Sequence, residues 1–211
     1  MVYRDNVLDI LSKHKAIITD THVVYTSGKH GDAYVNKDAI YPHTYDVSWL
    51  CSLLADHFKG GGFSKPYAVI APAVGGVILS QWTAHHLKET LALYAEKAPD
   101  GESFIIKRGY DKLIKGRSIL VVEDVLTTGG SVKKVVEAVR ACNGSVIGVG
   151  ALCNRGGIKA ENIGNVPELY TLLDIPLTAY EEADCPLCKA GVPINIAVGK
   201  GREFLARKQE G

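Results

Sequence analysis

Apolar and polar positions along this 211-residue chain change period from segment to segment, and the changes predict its elements. Residues 3–14 set Val7, Leu8, Ile10 and Leu11 at helical spacing, which predicts an amphipathic helix. Residues 25–39 place a Ser27-Gly28 turn between two apolar stretches, the pattern of a hairpin. A helix is expected over about 44–58, followed by a Gly60-Gly61-Gly62 break. Strand-like and helix-like runs then alternate: strands at 67–71, 90–94, 118–122 and 145–152, with helices at 77–87 and 130–141. That alternation predicts an α/β fold, a doubly wound and mainly parallel sheet flanked by helices. The chain reads as a single domain, with an N-terminal helix and hairpin over 1–43 and an α/β core over 44–200.

Chemistry concentrates in Ile119 to Val132, ILVVEDVLTTGGSV. A short, fully apolar run suits a strand buried on both faces of a parallel sheet. Glu123 and Asp124 are expected at the end of that strand, where ligands of open α/β sheets collect, with carboxylates free for sugar hydroxyls or a metal. Thr127, Thr128, Gly129, Gly130 and Ser131 follow. Glycines there permit close backbone approach, the hydroxyls add donors, and a helix starting near Gly130 aims N–H groups at the loop. A phosphate monoester fits such a loop; the plainer alternative is an ordinary strand-to-helix turn with two solvated acids. The GxxxxGK[ST] loop is absent, and no GxGxxG follows a strand.

This segment resembles the PRPP-binding motif of type I phosphoribosyltransferases, and residues from about Tyr3 to about Gly201 resemble the orotate phosphoribosyltransferases. The resemblance implies that Glu123 and Asp124 hold the ribose hydroxyls while Thr127 to Ser131, with Val125 and Leu126 leading in, wrap the 5′-phosphate. It implies that the hairpin is a hood over the base, with Ser27, Gly28, Lys29, Tyr34, Asn36 and Lys37 near orotate; many relatives carry a lysine where this chain has Thr26, so the cation there comes from elsewhere or is missing. Ala73, Val74, Gly75 and Gly76 correspond to the pyrophosphate loop, with Gly75 standing where relatives often have lysine. Their backbone N–H groups at a helix start suit anionic oxygens, and a tight strand-to-helix turn explains the glycines equally well.

Residues 104–117 form a basic stretch between two predicted strands. Cations there suit a flap closing over the leaving pyrophosphate, or a solvated hairpin. By resemblance, Lys107 and Arg108 are the basic pair at the base of the catalytic loop and are catalytic together with Asp124, whereas Lys112 and Lys115 have no clear counterpart. Arg155, at the end of a small-residue strand, could fork onto a planar carboxylate. It matches the family's orotate-contacting arginine, with Thr127 beside the base.

Composition narrows the remaining classes. A net charge of +1 gives no global field for nucleic acid. No apolar run approaches the ~18 residues of a membrane span, and charges at Arg4, Asp5, Asp9, Lys13 and Lys15 interrupt any signal-like region, so a soluble cytoplasmic enzyme is expected. Five cysteines, an odd number, argue against a disulfide framework. Cys185-Pro-Leu-Cys188 has metal-ligand spacing, yet a structural zinc site needs four ligands and no second CxxC or HxxxH exists; a reduced, packed turn is the default reading, with metal or redox use the alternative. His85 and His86 read as helix-end surface groups, and His30 as the one histidine near substrate.

The expected reaction, implied by the resemblance, is transfer of the 5-phosphoribosyl group from PRPP to orotate in UMP biosynthesis, releasing pyrophosphate. Mg2+ would be carried mainly by PRPP, with no metal ligands assigned to side chains, and a homodimer is implied. Transfer to a purine base, or a non-catalytic PRPP-sensing module, are the competing readings.

Overall fold

The computed structural model describes residues 2–60, 62, 64–175 and 177–209. Gly61, the middle of the predicted glycine break, lies outside the described residues. The chain begins with helix α1 (Val2–Lys13), four two-residue strands β1 (Ile17–Ile18), β2 (Val23–Val24), β3 (His30–Gly31) and β4 (Tyr34–Val35), and helix α2 (Thr44–Gly60). Next come β5 (Ala68–Pro72), α3 (Val77–Leu87), β6 (Leu91–Lys97), β7 (Phe104–Ile105) and the short helix α4 (Tyr110–Ile114). The chain continues through β8 (Ser118–Leu126), α5 (Gly130–Ala141), β9 (Ser145–Asn154), β10 (Leu169–Asp174), α6 (Pro186–Lys189) and α7 (Gly201–Gln209).

Two compact units result. The first is essentially His43–Ile175; the second joins Arg4–Pro42 to Pro176–Gly211. Residues 177–200, read from the sequence as part of the core, therefore belong with the N-terminal hairpin.

The first unit is built on a six-stranded sheet of order β10-β9-β8-β5-β6-β7, parallel except for edge strand β7. Alternation along β8 explains its layers. Ile119 and Val121 join Val132, Val135, Val136 and Val139 of α5 in one buried cluster. On the opposite face, α2 brings Leu54 and Phe58 against β9, where Gly148 and Gly150 clear the space: a Cβ on Gly148 would stand 2.5 Å from the Phe58 ring. Missing side chains at those two positions let a whole phenyl ring lie on the sheet.

Strand order also locates the site. Numbered by succession, the parallel strands run 2-1-3-4-5, and the order reverses between β5 and β8. At such a switch point the connections leave in opposite directions, opening a crevice beyond the strands' carboxyl ends. The loops that follow β5 and β8 carry residues 73–76 and 127–131, the two phosphate-binding candidates.

The strands of the second unit are all two residues long. β2 pairs antiparallel with β3 (Val23 with Gly31, Val24 with His30), giving the expected hairpin, and β1 pairs with β4. Single bridges tie His22 to Ile194 and His30 to Tyr180. Tyr25 Oη donates to the Ala33 carbonyl at 2.7 Å and closes the hairpin internally. No helix among the described residues is long and apolar enough to cross a membrane.

Candidate active site

Strand β8 runs four residues beyond the predicted end, because its pairing with β9 continues to Leu126 and Asn154. Glu123 and Asp124 thus lie within the strand rather than at its tip. They are only 7 % and 5 % exposed, which rules out the plainer alternative of two solvated acids. Glu123 accepts from the Asp124 N–H at 3.1 Å and Asp124 from the Val125 N–H at 2.6 Å. Adjacent strand residues point to opposite faces. A cavity of about 120 Å³ beyond the strand is lined by Glu123, Val125 and every residue from Leu126 to Val132, but not by Asp124.

The loop of that cavity has a defined shape. Gly129 takes φ +72°, a left-handed conformation that starts α5, and a Cβ there would meet the Ile163 side chain at 2.7 Å. Thr128 Oγ1 accepts from the Gly130 N–H at 3.3 Å. The positive end of α5 and its first N–H groups face the loop, so an anion there gains both hydrogen bonds and the helix field.

Arg155 and Thr127, assigned to one acceptor site from segments 28 residues apart, meet: Arg155 Nε donates to Thr127 Oγ1 at 3.0 Å. Two features absent from the sequence reading hold them. Arg155 and Gly156 both donate backbone N–H groups to the Leu126 carbonyl, and Gly156 sits so close to Thr127 that a Cβ would overlap the Thr127 carbonyl oxygen. Asn154, 7 % exposed, clamps the following turn, its amide donating to the Ile158 carbonyl and its oxygen accepting from the Ile158 N–H, each at 2.9 Å. An asparagine that ends a strand before Arg-Gly-Gly is the available signal, since Asn side chains close local turns. Nearby Cys153 is no nucleophile at neutral pH: burial pushes its thiol up to about 11.

At the end of β5, the N–H groups of Ala73, Gly76 and Val77 donate to the carbonyls of Ala95, Pro72 and Val74. These three hold the loop's shape. The neighbouring Val74 side chain is 86 % exposed. Gly76 is required by space, because a Cβ would stand 2.7 Å from that of Ala71.

The basic stretch is a compact turn. Gly109 (φ +81°) leads into α4, which buries Ile114. Lys107 and Arg108 are exposed at its start, and Arg108 Nε donates to Glu96 at 2.7 Å, an ion pair that raises the guanidinium's pKa. Glu96 thereby holds one of the two assigned cations on β6.

In the second unit, the Ser27-Gly28 turn has Gly28 at φ +82°, with the Gly28 N–H on the Tyr25 carbonyl. Lys29 pairs with Glu181 at 2.9 Å, and Tyr34 lies in β4. Thr26 and Gly28 line a cavity of about 350 Å³ whose other wall includes Lys200 and Arg207. Lys200, near Thr26, is itself paired with Glu203 at 2.7 Å. His30, expected near substrate, is instead fully buried between His22 and Phe204, which corrects that reading.

Comparisons with known proteins agree with this geometry. The model of the phosphoribosyl transferase domain matches residues 50–171. An orotate phosphoribosyltransferase from Caldanaerobacter subterraneus is 37 % identical over 90 % of this chain and 95 % of its own length. Another, from Pelotomaculum thermopropionicum, is 38 % identical over 90 % of this chain and 94 % of its own. Among solved structures, the Mycobacterium tuberculosis orotate phosphoribosyltransferase in complex with inorganic phosphate superposes with a TM-score of 0.64 at 20 % identity, over 83 % of this chain and 97 % of that one, and shares the fold. A family model spanning more than half of the chain, and relatives above one-third identity along nine-tenths of it, establish that this chain belongs to the phosphoribosyltransferase family, among the orotate phosphoribosyltransferases.

Proposed function

We propose that the chain transfers the 5-phosphoribosyl group from PRPP to N1 of orotate, yielding orotidine 5′-phosphate and pyrophosphate for UMP biosynthesis. The observation that carries this reading is the Arg155–Thr127 contact at the rim of the loop that wraps the proposed 5′-phosphate site. A guanidinium held at that rim can fork onto a planar carboxylate, which orotate has and the purine bases lack.

Each residue then has a task. Thr127 to Ser131 hold the 5′-phosphate, Glu123 and Asp124 the ribose hydroxyls, and residues 73–76 the pyrophosphate. Lys107 and Arg108 neutralise charge on the departing pyrophosphate, and Ser27, Lys29 and Tyr34 cover the base. Bond breaking leaves an oxocarbenium-like ribose, so catalysis rests on position and electrostatics, with no covalent nucleophile.

The oxygen-only donor set of Glu123, Asp124 and the threonine hydroxyls suits Mg2+, which binds through one or two carboxylates plus substrate phosphates. Bound there with PRPP, the ion would neutralise pyrophosphate charge. A homodimer acting in the cytoplasm completes the proposal, the reducing compartment being the one that suits five free cysteines.

The test is product formation from PRPP, Mg2+ and a panel of orotate, adenine, guanine and hypoxanthine. Orotate alone should react, and turnover of a purine without orotate would sink the assignment. Arg155→Ala should lower kcat/KM for orotate roughly 10- to 100-fold, the equivalent of the ~1.5–3 kcal/mol of a charged hydrogen bond, with the KM for PRPP little changed.

A further inference from the structure

The second unit contains a cluster that phosphoribosyl transfer does not use. His22, His30, Cys185 and Cys188 turn one ligand atom each toward a common point, all four atoms within 4.8 Å of one another. His22 Nε2 is 2.9 Å from His30 Nδ1 and 3.6 Å from each of Cys185 Sγ and Cys188 Sγ, while Cys188 Sγ is 3.3 Å from His30 Nδ1. Three of the four residues are buried, His30 and Cys185 completely.

We propose that these four residues form a structural zinc site that fastens the hood hairpin to the C-terminal segment. A tetrahedral ion with bonds of about 2.3 Å to sulfur and about 2.0–2.1 Å to nitrogen sets its ligand atoms about 3.3–3.8 Å apart. Of the six separations among four ligand atoms, three of the four given above fall in that range, the His22–His30 pair needs to open by a few tenths of an ångström, and the other two lie within 4.8 Å.

Among the described residues, the inward-facing atoms have only one another as partners, while the buried His30 Nε2 has none. His22 Nδ1 lies 2.7 Å from the Val192 carbonyl, which can only accept, so Nδ1 carries the proton and Nε2 presents a lone pair inward. The same carbonyl is the outer-sphere partner that orients metal-bound imidazoles. Two sulfurs and a second imidazole nitrogen converge on that lone pair. A cation answers all four at once, whereas protons on the thiols satisfy at most two directions.

Charge also balances. Each thiol releases a proton on binding, and two thiolates with two neutral imidazoles cancel the charge of Zn2+, which suits a buried place. Two cysteines and two histidines in tetrahedral array select zinc over the hard cations, and four protein ligands close the site, marking it structural rather than catalytic.

The ligands come from opposite ends of the chain, which are also tied by backbone hydrogen bonds at His22, Val24 and His30 and by the Lys29–Glu181 pair. His22 precedes β2 and His30 opens β3, on either side of the Ser27-Gly28 turn; both strands have two residues and are marginal without support. Cys185 and Cys188 sit at the start of α6, a four-residue helix. A metal adds a buried crosslink to these contacts. The turn it holds carries Ser27 and Lys29, so metal loss should also raise the KM for orotate; that consequence alone rests on the function proposed above.

The test uses the full chain. Protein purified without chelator should hold about one zinc per chain by elemental mass spectrometry, and cobalt exchanged into it should show the ligand-field bands and thiolate charge transfer of a tetrahedral S2N2 site. His30→Cys should keep the metal, because three cysteines and one histidine also bind zinc, whereas His30→Phe and the pair Cys185→Ser/Cys188→Ser should lose it. Cys142→Ser should change nothing. Metal-free wild-type protein that neither gains thermal stability from added zinc nor develops the cobalt spectrum would overturn the proposal, as would a mass two hydrogens light from a Cys185–Cys188 disulfide. Both readouts are independent of catalysis, so they stand or fall apart from the reaction assigned.

Discussion

The two units solve the same problem by opposite means. In the first, a six-stranded sheet is sandwiched between α5 on one side and α2 with α3 on the other, and its site loops are positioned by a continuous apolar core. In the second, the hood hairpin has strands of two residues, and its buried set mixes Val23, Val24 and Tyr25 with two histidines and a cysteine. A loop on a large core inherits rigidity from packing, whereas a loop on a minimal one needs a crosslink.

Phe58→Ala applies the strongest test of this contrast. Losing the ring that lies on Gly148 and Gly150 should cost about 3–5 kcal/mol in urea unfolding, while zinc content stays unchanged. Metal lost in step with that core would break the comparison. Next comes Gly156→Ala, which forces the Thr127 backbone away and should lower kcat/KM about 10²-fold, the penalty of displacing a positioned group by about 1 Å. Circular dichroism should remain that of the parent protein.

Alkali should separate the units more gently. Burial pushes the Cys51 thiol up to about 12 and that of Cys153 to about 11, from 9.0 in the open chain. Between those values the unfolded state has released protons that the folded state retains, so stability is full below about pH 9 and falls as pH rises. The slope should reach about 1.4 kcal/mol per pH unit for each thiol, and Cys51→Ala should remove its share while that of Cys153 remains. The smallest effect concerns the second unit: chelator should speed tryptic cleavage after Lys29 and Lys189 roughly fivefold, as ~1 kcal/mol of local opening implies, before any cut within residues 43–175.

Legibility from sequence follows the same division. Both helices that begin at site loops, Val77–Leu87 and Gly130–Ala141, have the limits their periodicity predicts, and the loop between β8 and α5 is written in consecutive residues. Local patterns carry local structure. Strand β8 was underread because two acids look like a strand end, and only the partner strand β9 reveals that pairing continues. Asn154 and Gly156 owe their roles to atoms of the neighbouring loop, a relation that spacing does not encode. The Cys185-Pro-Leu-Cys188 pair lacked partners at any standard spacing. His22 and His30 stand seven intervening residues apart in another segment, and the fold alone brings them to the cysteines.

His22 and Cys185 are 163 residues apart in sequence. At synthesis rates of 5–20 residues per second, roughly ten to thirty seconds separate the emergence of the first half of this cluster from the second. Throughout that interval the sheet of residues 43–175 can complete itself, since all its strands lie between them. The hairpin's partners on the C-terminal segment, from Tyr180 to Phe204, are thus made only after every strand of the core.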